Sequence, residues 1–117
     1  MVNYLPATAS INAVDMDAVF AALAHSTRRS ILLRLRQGSA TVSELAEQYT
    51  ISLPAISKHL RVLERAGLLA QKRDGRMRHC YLVVDPLAEA TEWLEQYRQF
   101  WEGNFDALDE FLAQSED

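Results

Sequence analysis

The sequence predicts a mainly α-helical fold with one small β-hairpin, and three observations carry that prediction. Between Thr41 and Gly67, two helix-periodic segments come with complete start and stop signals. Two strand-like runs, Leu68 to Arg73 and Met77 to Val84, flank Asp74-Gly75-Arg76, and a strand pair closed by Asp-Gly signals a hairpin. A long apolar and aromatic pattern then opens at Asp85-Pro86 and runs to about Ala113. In chain order this gives four helices, a hairpin and a final long helix.

Taken in order, residues 1–13 are small and polar and form a loosely ordered lead-in. Val14 to Ala24 makes a first helix with Val19, Phe20 and Leu23 as its apolar stripe. Ser26 or Thr27 caps a second, running to about Arg36, with Ile31, Leu32 and Leu35 inward and Arg28, Arg29, Arg34 and Arg36 on polar positions. Thr41-Val42-Ser43-Glu44 fits the capping box, in which hydroxyl and carboxylate each satisfy a free backbone N–H of the first turn. The fourth helix follows Ser52 as N-cap, carries Pro54 where a missing N–H costs little, and ends at Gly67.

On a helical wheel Ile56, Leu60 and Leu63 fall together, flanked by Ala55 and Val62, and face the core. Pro54, Ser57, Lys58, Arg61 and Arg65 gather on the opposite side. A short helix, a tight turn and a second helix with small and basic outer residues is the arrangement that enters a DNA major groove. An ordinary amphipathic helix also has a charged outer face, so this helix alone leaves both readings open. The hairpin carries Lys72, Arg73, Arg76 and Arg78 around its tip. Together these elements make a winged helix-turn-helix, with the wing lying along phosphates beside the groove.

The charge distribution agrees. The 117 residues carry a net charge of −4, yet residues 57–79 hold seven Lys/Arg against two acids, a balance of +5. Residues 85–117 hold one base against ten acids, a balance of −9. Phosphate attraction depends on where charge sits, so the acidic last helix should lie away from the DNA. One cysteine, Cys80, excludes an internal disulfide framework and fits a reducing cytoplasm. No apolar run is long enough for a membrane span, and no signal-peptide pattern heads the chain.

The last helix is on the order of 40 Å long, more than a domain of this size needs. Its stripe of Trp93, Tyr97, Phe100, Trp101, Phe105, Leu108 and Leu112 is too wide and too aromatic to face water. The physical remedy is a second copy packed about a two-fold axis, which also places two reading helices about one helical turn apart on an inverted repeat.

Ala24 to Leu32 (AHSTRRSIL) followed by Ile51 to Leu69 (ISLPAISKHLRVLERAGLL) resembles the ArsR/SmtB family of bacterial repressors over residues 14–113. The resemblance implies a winged-helix homodimer, joined through its first and last helices, that binds operator DNA and blocks transcription. It adds Val19 and Phe20 to the dimer contact, and it assigns Ser52, Leu53, Pro54, Ser57 and Lys58 to the major groove and Arg73 to Arg78 to the wing. Three parts follow: a lead-in (1–13), a winged helix-turn-helix (14–84) and a dimerisation helix with an acidic tail (85–117).

The sequence departs from the family's metal sensors. The helix before the recognition helix has no Cys-x-Cys, and residues 86–117 contain no His. Zinc or a softer metal wants about four N or S ligands, and only His25, His59, His79 and Cys80 exist, on different elements. The expectation is no metal and no cofactor. The Trp93…Tyr97-Arg98-Gln99-Phe100-Trp101 pattern resembles a family branch that lacks metal ligands and often controls a neighbouring gene directly. Two alternatives stand beside this reading: a winged helix used for protein contacts, and an effector-responsive repressor, answering either to a metal or to redox change at Cys80, which His79 and Arg78 flank. No phosphate loop, nucleophile elbow or clustered acid–base set points to an enzyme, and no small-molecule substrate or membrane partner is implied.

Overall fold

The computed structural model describes residues 14–115, and the lead-in expected over residues 1–13 lies outside them. The element order is α1 (Met16–Leu23), α2 (Ser26–Leu35), β1 (Ala40–Thr41), α3 (Val42–Glu47), α4 (Leu53–Arg65), β2 (Leu69–Asp74), β3 (Met77–Leu82) and α5 (Asp85–Ser115). The strands form one antiparallel sheet in the order β1-β3-β2.

Local signals account for most of the boundaries. The capping box is closed: Thr41 N–H donates to Glu44 Oε1 at 2.9 Å, and Glu44 N–H donates to Thr41 Oγ1 at 3.1 Å. These bonds, first of all the one from the Thr41 backbone, hold the Glu44 carboxyl below its ordinary value. Ser52 caps α4 by accepting from Ala55 N–H at 3.3 Å. At the other end Gly67 takes φ +79°, Gly67 N–H donates to Glu64 O and Leu68 N–H donates to Leu63 O. That bond pair is a Schellman motif, with its usual apolar contact supplied by the buried Leu63 and Leu68.

Helix α1 is shorter than the expected Val14 to Ala24, and the hairpin strands are shifted or shortened by one or two residues. Three further boundaries differ for reasons that the hydrogen bonds and strand pairing show. The cap of α2 is His25, whose Nδ1 accepts from Thr27 N–H at 3.1 Å, because Ser26 and Thr27 already lie within the helix. Asp85 is the first helical residue of α5, not its N-cap, since Ala88 N–H reaches back to Val84 O. In the hairpin Asp74 pairs with Met77, so the loop is only Gly75 and Arg76, with Gly75 at φ +63°. A glycine at the first central position is the type II′ arrangement, which matches the twist of the flanking strands. The third strand, β1, was not expected: Ala40 and Thr41 pair with Cys80 and His79.

The core joins Val19 and Ala22 of α1, Ile31, Leu32 and Leu35 of α2, Leu45 of α3 and Ile56, Leu60 and Leu63 of α4 to the base of the sheet. Arg28 and Arg29 fasten α2 to α1. The Arg28 guanidinium donates to Ala22 O at 2.7 Å and to Ala21 O at 3.0 Å, and Arg29 donates to Leu23 O at 2.8 Å. The carbonyls at a helix C-terminus lack intrahelical partners, and cations suit that end of the dipole. Both arginines, read from sequence as polar-face residues, are therefore structural.

Only the start of α5 joins this core, through Ala90 and the partly buried Leu87. From Thr91 to Gln114 every residue is exposed. The radius of gyration is 18.8 Å, well above the roughly 13 Å of a compact domain of this length. Val19, expected at a subunit contact, is 0% exposed and packs in the chain's own core, so it has no surface to offer a partner. Its neighbour Phe20 turns the other way and meets Trp93 edge to face at 5.6 Å between ring centroids.

Candidate nucleic-acid interface

Helix α4 separates its faces cleanly. Ile56, Leu60 and Leu63 are at most 1% exposed. Leu53, Pro54, Lys58, Arg61 and Arg65 are exposed and Ser57 is half-buried. Five residues, 48–52, join α3 to α4, and the Tyr49 hydroxyl donates to Ser30 Oγ at 2.8 Å, tying that turn to α2. Helix α4 is thus held at its N-terminal cap, along its apolar face and at its Schellman end.

The wing comes to the same place. An open cleft of about 160 Å³ is lined by Thr41, Val42 and Ser43 at the start of α3, Leu53 at the start of α4, and Arg76, Met77 and Arg78 of the hairpin. The first turn of α4 and the wing therefore flank one concavity. Lys72, Arg73 and Arg76 are exposed and Arg78 is half-buried. Arg61 and Arg65 lie farther along α4 and do not line this cleft.

The electrostatics favour a polyanion. Among the described residues the only ion pairs are those of Arg98 with Glu95 and Glu102, each at 3.3 Å, on α5. None of the seven cations of residues 57–79 has a carboxylate partner there. Arg73 and Arg78 stand directly opposite each other in the β2–β3 register. Like charges facing across a strand pair destabilise a sheet, and a phosphate between or beside them relieves that repulsion.

Sequence reasoning missed one feature behind the exposed basic face of α4. His25 and His59, 34 positions apart, meet with ring centroids 4.4 Å apart, and Arg28 Nη1 lies 3.3 Å from His59 Nδ1. Arg28 thereby links α1, α2 and α4. Burial first, then the charges of His25, Arg28 and Lys58, push the His59 imidazole below its ordinary value of 6.5. The unfolded chain then binds this proton more readily than the folded one, so stability present above about pH 6.5 is lost as pH falls through the folded value. Urea midpoints measured from pH 7 to pH 5.5 should fall, and His59→Gln should flatten that slope. An unchanged slope would remove His59 as its source.

No group of three or more His, Cys, Asp or Glu side chains capable of holding a metal ion occurs among the described residues. Cys80 is 0% exposed, and burial pushes its thiol up to about 11, outweighing the opposing pull of Arg78. The thiolate, the form that attacks an oxidant, is therefore scarce at neutral pH. No described helix is long and apolar enough to cross a membrane.

Comparison with known proteins agrees with this geometry. A helix-turn-helix domain family matches residues 23–72. The transcriptional repressor SdpR of Bacillus subtilis is 35% identical over 79 residues, covering 68% of this chain and 88% of SdpR. The HTH-type transcriptional regulator Rv2034 of Mycobacterium tuberculosis is 44% identical over 81 residues, covering 69% of this chain and 76% of that protein. Among solved structures, an ArsR family transcriptional regulator superposes with a TM-score of 0.69 at 39% identity, covering 74% of this chain and 96% of the other.

Proposed function

Since the chain belongs to the ArsR/SmtB family and is a DNA-binding transcriptional regulator, we propose that it is a homodimeric repressor of an inverted-repeat operator, acting in the cytoplasm. Residues 14–84 read the DNA and residues 85–117 join the two subunits. In each subunit Leu53, Pro54, Ser57 and Lys58 face base edges, and Ser52, Arg61 and Arg65 meet the flanking phosphates. Lys72, Arg73, Arg76 and Arg78 follow the backbone beside the groove. Leu53 offers an apolar contact suited to a thymine methyl, and Ser57 a hydroxyl that either donates or accepts.

The observation that carries this reading is the single cleft flanked by the first turn of α4 and the arginines of the wing. A protein-contact module has no need of two arginines, Arg76 and Arg78, in one cleft with five more cations on the same helix and wing, none with a carboxylate partner among the described residues. The likeness to a named repressor supports repression over activation. For the dimer, the support is the exposed aromatic stripe, with Trp93 46%, Trp101 51% and Phe105 64% exposed, together with Phe20 lying against Trp93. The reading is of a binding protein, with no catalytic role.

Its test is binding to fragments selected from the source genome, followed as a function of salt. For B-DNA, log K falls by about 0.9 per neutralised phosphate for each log unit of salt. Arg76→Ala should weaken selected and random DNA alike and lower the slope by about 1 per subunit contact. Substitution of Ser57 should instead change which bases are preferred. Equal binding of both variants to selected and random DNA, at wild-type strength, would overturn the assignment.

A further inference from the structure

The basic residues of the chain are of two chemical kinds, and their placement differs. Of the 12 Lys and Arg, only Lys58 and Lys72 are lysines. Lys58 stands on the outer face of α4 and Lys72 on strand β2 of the wing, both exposed. Neither has a carboxylate partner among the described residues. The α1–α2 junction and the acidic α5 use only arginine. The two kinds of cation differ in one reaction. A guanidinium keeps its proton in proteins. An ordinary lysine amine is unprotonated about once in a thousand at pH 7.4, and is then a nucleophile. At Lys72 a second group assists: His79 stands directly opposite it in the β2–β3 register, on the same face of the hairpin. An imidazole is a base that works near neutral pH.

We propose that Lys58 and Lys72 are acylation sites, modified by activated acyl groups on an anionic carrier (an acyl phosphate, or an acyl thioester of a phosphorylated thiol), and that their acylation releases DNA. The inference rests on the DNA-facing placement of α4 and the wing, and deepens it with a regulatory input. The ammonium first gives a proton to water or, at Lys72, to His79. Its lone pair then forms a C–N bond to the acyl carbonyl. The C–O or C–S bond to the carrier breaks, and the carrier leaves with that electron pair. The second amine proton passes to the departing phosphate or thiolate, or to solvent. The product is a neutral amide, with no oxidation or reduction.

Charge brings the reagent and its consequence to the same place. The +5 balance of residues 57–79 draws an anionic acyl carrier as it draws a phosphate backbone. Acylation then removes the positive charge at both lysines, and a two-fold dimer carries each loss twice. DNA already bound covers both amines, so a repressor on its operator is protected. No lysine lies in α5, so the modification leaves that helix untouched.

The test uses the full chain, treated with acetyl phosphate and, in a parallel arm, with acetyl-coenzyme A; the arm that labels the lysines identifies the donor. Peptide mass spectrometry should find acetyl groups on both lysines, and fewer when selected DNA is bound. Affinity for that DNA should fall at least about tenfold, with thermal unfolding unchanged. The salt slope should fall by about 2, from one Lys72 contact in each subunit. Lys58→Arg with Lys72→Arg keeps the charge and removes the amines, so treatment should leave its affinity at whatever value it started from. Three results overturn the inference. Neither reagent labels either lysine more readily than a free lysine peptide, the doubly acetylated chain binds as tightly as the untreated one, or the arginine variant loses as much on treatment. In the second case Lys58→Glu with Arg61→Glu separates the two readings. Lost binding there leaves the DNA-facing placement standing, and undiminished binding ends both.

Discussion

Reversing two charges on the outer face of α4, Lys58→Glu with Arg61→Glu, is expected to weaken operator binding by at least about a hundredfold at constant salt. Both side chains are exposed and neither has a carboxylate partner among the described residues. The change therefore removes favourable phosphate and base contacts, adds repulsion, and leaves the core intact. A two-fold dimer presents it twice. At roughly 1–3 kcal/mol per good base contact, even the low end accumulates to this size. Anisotropy titration against a labelled operator measures it, with thermal unfolding as the control. Retained affinity within about threefold, with the same melting behaviour, would place the DNA on another face.

The largest loss of stability is expected from Leu60→Ala. Leu60 is 1% exposed at the centre of α4, between Ile56 and Leu63, and belongs to the core shared with α1, α2 and α3. Truncating a fully buried leucine removes its transfer free energy and leaves a cavity, at a cost of about 3 kcal/mol. Against a total of about 5–15 kcal/mol for a typical domain, that is a substantial fraction. Urea unfolding should show a lower midpoint with little change in slope. Because the same side chain holds the recognition helix to the domain, operator affinity should fall alongside. A loss under about 1 kcal/mol would mean that α4 packs less tightly than its burial implies.

The unit from Thr41 to Gly67 was legible because its determinants are local. A capping box, an N-cap serine and a glycine at positive φ each act within a few residues, and each appears where the pattern placed it. The basic recognition face was readable for the same reason, since helical periodicity alone separates Lys58 and Arg61 from Leu60. What lay outside reach depends on residues far apart in sequence. Strand β1 is only Ala40 and Thr41, too short for an alternating pattern, and it exists because Cys80 and His79 arrive beside it. The meeting of His25 with His59, and the turning of Arg28 onto α1 carbonyls, follow from how α2 crosses α1 and α4. Val19 and Phe20 show the limit most plainly. Both sit on the apolar stripe of α1, and only packing decides that Val19 enters the core while Phe20 faces Trp93.

Those tertiary contacts bear on the placement of α4, the helix proposed to read DNA. His59 stands on α4, and through Arg28 it is bonded to the element that ends α1, which in turn meets α5 through Phe20. Helices α4 and α5 are therefore linked by packed and hydrogen-bonded residues within one chain.

The central claim is that two reading helices of one dimer engage one face of a duplex. Hydroxyl-radical footprinting on a selected operator, with the stoichiometry of the complex measured in parallel, tests it most directly. The account predicts two subunits per duplex and two protected patches about one helical turn apart, arranged symmetrically about the centre of an inverted repeat. A single protected patch bound by one subunit, or protection no different from that on random DNA, would contradict it.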